Sequence, residues 1–502
     1  MRGTDTLKGM ANAPVIIQGG MGVGISNWQL ARAVSALGQL GVVSGTALDH
    51  VLARRLQMGD PGGHMRRALD HFPVPHLAED VWNTYYIAGG KAPTASFALP
   101  PMQTTEPSLE WLRLCVVANF VEVFLAREGH SHPVGINYLE KIQIPHLPSV
   151  YGAMLAGVSY VLMGAGIPLK IPGVLDRYVH HEPATYPLHV TGDDGEGGGH
   201  LLTFDPQEVI GVGPDAPPLT RPAFLAIIAS DVLALTLHRR ANGRVDGFIV
   251  EGPTAGGHNA PPRGALQLTA DGEPIYGPRD EVNLEKLRAI GLPFWLAGGA
   301  AAPGKLQEAL DAGASGIQVG TAFALCDDSG LRDDARQELL QRARTGDAHV
   351  FTSPVASPAG FPFKVAELPG SLSDPEILKA RPRICDLGYL REAYRSDDGA
   401  VGFRCPAEPV NLYAVKGGDP EATTGRACIC NALMASAGLP QVRAGRYTEP
   451  PIVTMGDDVQ GTMRFLPSGE TRYDAADVVR VLLAECDARA AAQNPAIPVS
   501  AL

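Results

Sequence analysis

Short runs of unbroken apolar residues recur along the chain, each closing on glycine or a small polar residue. They are VIIQGG (15–20), LGVVSG (40–45), PVGINYL (133–139), YVLMGAG (160–166), AFLAIIAS (223–230), GFIVEG (247–252), FWLAGG (294–299) and GIQVGTAF (316–323). Each has the length of a buried strand, and the lack of polar alternation is what strands covered on both faces show. Between them apolar residues return at helical spacing, in SNWQLARAVSALG, LPSVYGAMLAG, DVLALTLHRRA, LEKLRAIG and PGKLQEALDAG. Eight strands alternating with helices predict an α/β chain folded as a (β/α)8 TIM barrel rather than a doubly wound open sheet.

Two insertions break this rhythm. Residues 46–131 are helical in pattern with a Pro-containing middle. Residues 167–222 contain YPLHVTGDDGEGGGHLLTF, which predicts a hairpin with a mobile, glycine-rich acidic tip. Both leave the C-terminal ends of barrel strands, where barrel enzymes build their sites. Past about residue 350 the pattern becomes a Pro- and Cys-bearing α+β region, closed by the helical DAADVVRVLLAEC. The expected organisation is a barrel over 1–350 and a smaller C-terminal region over 351–502.

Composition narrows the function classes. The 502 residues carry 41 Lys+Arg against 53 Asp+Glu, a net charge of -12, which argues against nucleic acid as a partner. No run of about 18 apolar residues and no charged-then-apolar leader is present, so a cytoplasmic protein without a membrane span is expected. Seven cysteines are too few for a disulfide scaffold and fit a reducing compartment.

In a barrel, the loops after strands seven and eight offer backbone N–H groups to a phosphate. Here they read AGGAAAPGK (297–305) and QVGTAF (318–323), making Gly298, Gly299, Gly320 and the Thr321 hydroxyl the candidates. IIQGGMGVGIS (16–26) is also glycine-rich, but it completes no GxGxxG frame and has no acidic residue at the expected distance, which disfavours a dinucleotide fold. After strand six, EGPTAGGHNAPPRG (251–264) sets His258 behind two glycines. A lone histidine is more often structural than catalytic, but a strand exit is where an imidazole titrating near 6.5 can serve as proton carrier. His180, His181, His189 and His200 match no zinc spacing. Cys385, Cys405, Cys428 and Cys430 concentrate in the tail, and four thiolates can hold zinc or an iron–sulfur cluster. Their C-x-C pair is not the usual C-x2-C knuckle, so packing thiols and no metal are the expectation.

APVIIQGGMGVGIS, VGIN, VEGPTAGGH, LAGGAA and GIQVGTAF stand in the order that characterises a known family. Over about residues 14–325, outside the insertions, the chain resembles the nitronate monooxygenases, flavoproteins formerly called 2-nitropropane dioxygenases. The resemblance implies FMN lying across the barrel mouth, its phosphate at strands seven and eight. It implies that Gln18, Gly20 and Met21 line the isoalloxazine, that Asn137 hydrogen-bonds the ring, and that Gly256 and Gly257 approach the cofactor. Glu251 joins this cofactor-binding set, Gly298, Gly299, Gly320 and Thr321 hold the phosphate, and His258 takes the place of the catalytic histidine. Thr254 departs from the family, which has Glu before AGGH. Val250 and Glu251 are similar to an enoyl-reductase branch, which has Ser where this chain has Ala255.

Three functions are consistent with the resemblance. The first is oxidation of a nitronate or similar carbon acid with O2. The second is an NAD(P)H-dependent flavin reductase, such as a trans-acting enoyl reductase of polyketide or polyunsaturated fatty acid synthesis or a quinone reductase. The third is a non-catalytic flavin-binding scaffold subunit. The implied partners are a small-molecule substrate and either a second copy of the chain or a synthase.

Overall fold

A computed structural model describes residues 13–193, 199–443 and 447–493, with side chains to 486. The acidic hairpin tip singled out above, 194–198, lies outside these residues. All eight apolar runs form strands: β1 (Ile16–Gln18), β2 (Leu40–Ser44), β3 (Val134–Leu139), β4 (Tyr160–Gly164), β5 (Ala223–Ile228), β6 (Gly247–Glu251), β7 (Phe294–Ala297) and β8 (Gly316–Val319). Every neighbouring pair is parallel, and β1 closes on β8 through Ile17↔Gln318, giving a barrel.

Alternation within each strand, hidden by the uniformly apolar sequence, divides the core in two. Ile17, Val42, Leu162, Leu225, Ile249 and Trp295 meet in the barrel interior. Their neighbours Ile16, Val43, Met163, Phe224, Phe248 and Phe294 pack outward against the helices. Trp295 closes the floor by donating from Nε1 to the Pro14 carbonyl at 2.8 Å.

The predicted helices fall at Trp28–Ala36, His146–Leu155, Asp231–Arg240, Leu284–Arg288 and Lys305–Asp311. Asn27 caps the first by accepting the Leu30 N–H, and Ser230 caps the third by accepting the Leu233 N–H. The first insertion is helical at both ends and irregular between 86 and 108, and its longest helix, Leu109–Arg127, packs on His146–Leu155. The second contains the expected hairpin, Ala184–Leu188 antiparallel to His200–Phe204.

The segment after 350 wraps the barrel. Val350–Ser353 pairs with Phe363–Ala366, and Glu392–Arg395 pairs both with Val401–Arg404 and with Val190–Thr191 of the second insertion. Its residues Ala366, Leu387, Met434 and Val453 belong to the same apolar cluster as the barrel helices. The final helix runs Ala475–Gln493 and packs on Trp28–Ala36 and Lys305–Asp311. Among the described residues no helix is long and apolar enough to cross a membrane.

Candidate active site at the barrel mouth

The parity that buries Ile249 inward also points Glu251 inward at the top of β6, and the same step places Asn137 on β3 and Gln318 on β8. These residues line a cleft of about 200 Å³ at the C-terminal end of the barrel. Gly20, Met21, Gly256, Gly257, His258, Gly298, Gly299, Gly320 and Thr321 all line it as well. Eleven of the twelve positions singled out in the sequence, nine here with Asn137 and Glu251, are thereby brought together. Gln18 is the exception. Ile17 faces the interior, so Gln18 faces the helix layer, where its Nε2 donates to Ser26 Oγ at 2.9 Å and its Oε1 accepts the Val42 N–H at 3.0 Å. It braces the β1 turn from behind and does not line the cleft.

The polar wall is incompletely satisfied. Asn137 Oδ1 and Gln318 Oε1 are buried acceptors with no hydrogen-bond partner among the described residues. Such acceptors are costly to leave unpaired and suit a ligand that carries donors on a flat edge. On the opposite side, Gly298 and Gly299 have φ of +92° and +62°, a left-handed turn that only glycine adopts freely. A Cβ on Gly320 would meet nothing closer than Met21 Sδ at 3.5 Å, so the backbone there borders open space. Glycine turns beside unpaired amide acceptors fit a flavin nucleotide.

The tail supplies a roof that sequence reasoning missed. Thr454, Met455, Gly456 and Asp458 line the cleft. Gly257 N–H donates to Thr454 Oγ1 at 2.8 Å, Gly456 N–H to Thr321 Oγ1 at 2.9 Å and Asp457 N–H to the Thr254 carbonyl at 3.2 Å. Asp457 is anchored by Lys364, whose buried Nζ lies 2.6 Å from its Oδ1 and 2.8 Å from Thr352 Oγ1. The glycine at 256 answers to this roof: a Cβ there would stand 2.8 Å from the Met455 carbonyl carbon. Gln318 was also missed, although the alternation of GIQVG points it into the mouth.

His258 is half-buried, bridged through its backbone to Phe363, whose ring centroid lies 4.8 Å away. Its Nε2 lies 2.6 Å from Ser357 Oγ. Burial, reinforced by the Lys141 ammonium, lowers its pKa to about 4, so the ring is neutral at physiological pH. Lys141 is held over the Phe361 ring at 4.0 Å and donates to the Ala359 carbonyl at 2.6 Å. Burial acts in the opposite sense on Glu251, raising its carboxyl to about 7. Glu251 also lines a second cavity behind β6 and β7, shared with Gly298 and Ala300.

The four tail cysteines do meet: Cys405 and Cys428 are buried with Ala407, and Cys385 and Cys430 pack against them. Among the described residues no three His, Cys, Asp or Glu side chains stand where they would hold a metal. His181 is committed elsewhere, its Nδ1 2.7 Å from Tyr151 OH and its Nε2 2.9 Å from the Pro217 carbonyl.

Residues 221–360, which carry β5 to β8 and the His258 loop, match the sequence profile of the nitronate monooxygenase family. No curated protein matches the chain. Among solved structures, FabK from Thermotoga maritima aligns over 99% of this chain and 100% of its own, at 15% identity and a TM-score of 0.48. A nitroalkane oxidase from Streptomyces ansochromogenes aligns over 95% and 97%, at 16% identity and 0.43. The enoyl reductase domain of MlnA from Bacillus amyloliquefaciens aligns over 97% and 98%, at 11% identity and 0.44. Residues 221–360 are thus similar to the nitronate monooxygenases, a family of flavin-dependent oxidoreductases.

Proposed function

We propose that the cleft binds FMN and oxidises a nitronate or similar carbon acid with O2. The observation that carries this reading is the convergence of unpaired Asn137 and Gln318 acceptors, glycine turns at 298–299 and 320, and His258 in one cleft. FMN supplies the site that takes the electron pair from the substrate. Asn137 and Gln318 would hold its ring edge, and Gly298, Gly299, Gly320 and Thr321 its phosphate. Thr321 accepts the Gly456 N–H and keeps its own proton for that role. The tail roof and Phe363 keep water from the reacting carbon, and His258, neutral at pH 7, shares a proton with the substrate. On this reading the chain divides into a barrel over 1–350 and a tail over 351–502 that completes its mouth.

Glu251 favours a second reading. A carboxyl at the cleft wall that stays protonated to about pH 7 can deliver a proton to a reduced carbon, as an NAD(P)H-dependent flavin reductase requires. Acid precipitation of protein from flavin-replete cells should release FMN; a colourless supernatant sinks both readings. Anaerobic mixing then separates them: bleaching by a nitronate alone supports oxidation, and rapid bleaching by NADPH supports the reductase.

A further inference from the structure

We propose that Ser357 is a positioning residue that holds His258 as its Nδ1–H tautomer, so that His258 meets the substrate as a hydrogen-bond donor. The inference deepens the reading of His258 given above and rests on it. Ser357 is fully buried, and among the described residues its Oγ has two hydrogen-bond partners: His258 Nε2 at 2.6 Å and the Ala359 N–H at 3.1 Å. The amide can only donate, so it occupies a lone pair of the oxygen. The hydroxyl proton then has one acceptor among the described residues, His258 Nε2. Donation in that direction satisfies all three groups, whereas the reverse leaves a buried O–H without an acceptor. A neutral imidazole that accepts at Nε2 carries its proton on Nδ1, the ring nitrogen with no protein partner among the described residues.

The surroundings hold this arrangement rigid. Arg426 donates to the Ser357 carbonyl at 2.5 Å and to the Val355 carbonyl at 2.8 Å, fixing the turn. Phe361 and Phe363 stand edge-on and tilted to the imidazole ring. The charged groups around it are Lys141 from the loop after β3, Arg426 behind Ser357, Lys364 paired with Asp457 beside Phe363, and Glu251 and Asp458 on the cleft wall. Lys141 opposes a second proton on the ring. A neutral Nδ1–H can donate to an oxygen that bears negative charge, but it cannot accept a proton at that atom. A substrate oxygen that bears negative charge would then lie against Nδ1–H.

The ring nitrogens of 15N-histidine-labelled protein, purified with its cofactor, report tautomer and titration midpoint independently of turnover. The expected wild-type result is Nδ1–H with a midpoint well below 6.5. Ser357→Ala should lose the tautomer preference and raise the midpoint by about half to one pH unit, the equivalent of one neutral hydrogen bond. Ser357→Thr, which keeps the hydroxyl, should restore both. An Nε2–H tautomer in the wild type, or an unchanged tautomer and midpoint in Ser357→Ala, overturns the proposal. Turnover tests the donor role: Ser357→Ala should raise KM for a nitronate, whose oxygen loses the Nδ1–H held against it. Full activity of His258→Asn on a nitronate would instead reject the catalytic reading of His258, and with it the donor role, while the NMR result would stand.

Discussion

Two adjacent glycines separate steric room from backbone conformation. A Cβ on Gly256 would lie 2.8 Å from the Met455 carbonyl carbon and 2.9 Å from Gly456 N, while ordinary contact begins at 3.4 Å. The roof backbone must then retreat by about 0.6 Å (3.4 − 2.8), and backbone cannot swing aside as a side-chain tip can. The retreat lengthens the Gly257–Thr454, Gly456–Thr321 and Asp457–Thr254 hydrogen bonds together. Overpacking of this kind costs about 1–3 kcal/mol. Gly257 has φ of +82° and nothing within 4 Å of a built Cβ, so alanine there is disfavoured by conformation alone, by about 1–2 kcal/mol. Gly256→Ala and Gly257→Ala should thus lose similar stability in urea denaturation. Only Gly256→Ala should speed amide exchange across 454–458 and accelerate flavin release. Unchanged exchange in that segment would refute the account of Gly256 as the roof's clearance.

Gly320→Ala should fold with wild-type stability, since its Cβ meets only Met21 Sδ at 3.5 Å, while Gly320→Asp should lose the flavin through a carboxylate set beside its phosphate; retention of full cofactor content by Gly320→Asp would move the phosphate elsewhere. In flavin-stripped protein, Glu251, raised from 4.5 to about 7, keeps a proton that the unfolded chain releases, so it lowers stability as pH rises through that window. His258, lowered from 6.5 to about 4, has the opposite slope, its contribution being lost as pH falls from 6.5 to 4. Glu251→Gln should accordingly stabilise the stripped protein by about 1–3 kcal/mol at pH 8 and little at pH 4, and equal effects at both would discount the Glu251 shift. Glu449 is fully buried between Arg381 at 2.9 Å and Arg443 at 2.7 Å, so Glu449→Ala should cost about 3–5 kcal/mol by leaving two guanidinium groups facing an empty acceptor; a loss under about 1 kcal/mol would show water replacing it.

The barrel was legible because strands buried on both faces must be apolar throughout, and eight such runs survive in the sequence. The AGGH, AGG and GTAF turns were legible because glycine spacing is local. Gln18 misled because a continuous apolar run hides which face a residue takes; the register that turns Ile17 inward turns Gln18 away. Gln318 could have been found by the same parity. Ser357 and the 454–458 roof could not, because nothing in SPVASPAG or TMGDD announces a contact with a loop a hundred or two hundred residues earlier. Long-range packing of irregular backbone leaves no periodicity to read.

The roof over the barrel mouth bears on the order of synthesis. All eight strands and His258 lie within the first 319 residues, yet the peptide groups that cover the AGGH loop come from 454–458. A ribosome that has released the whole barrel has made a mouth with its floor and sides and no ceiling. The groups that cover the cleft are therefore the last of its walls to be synthesised, more than a hundred residues after the strands that carry its floor and sides.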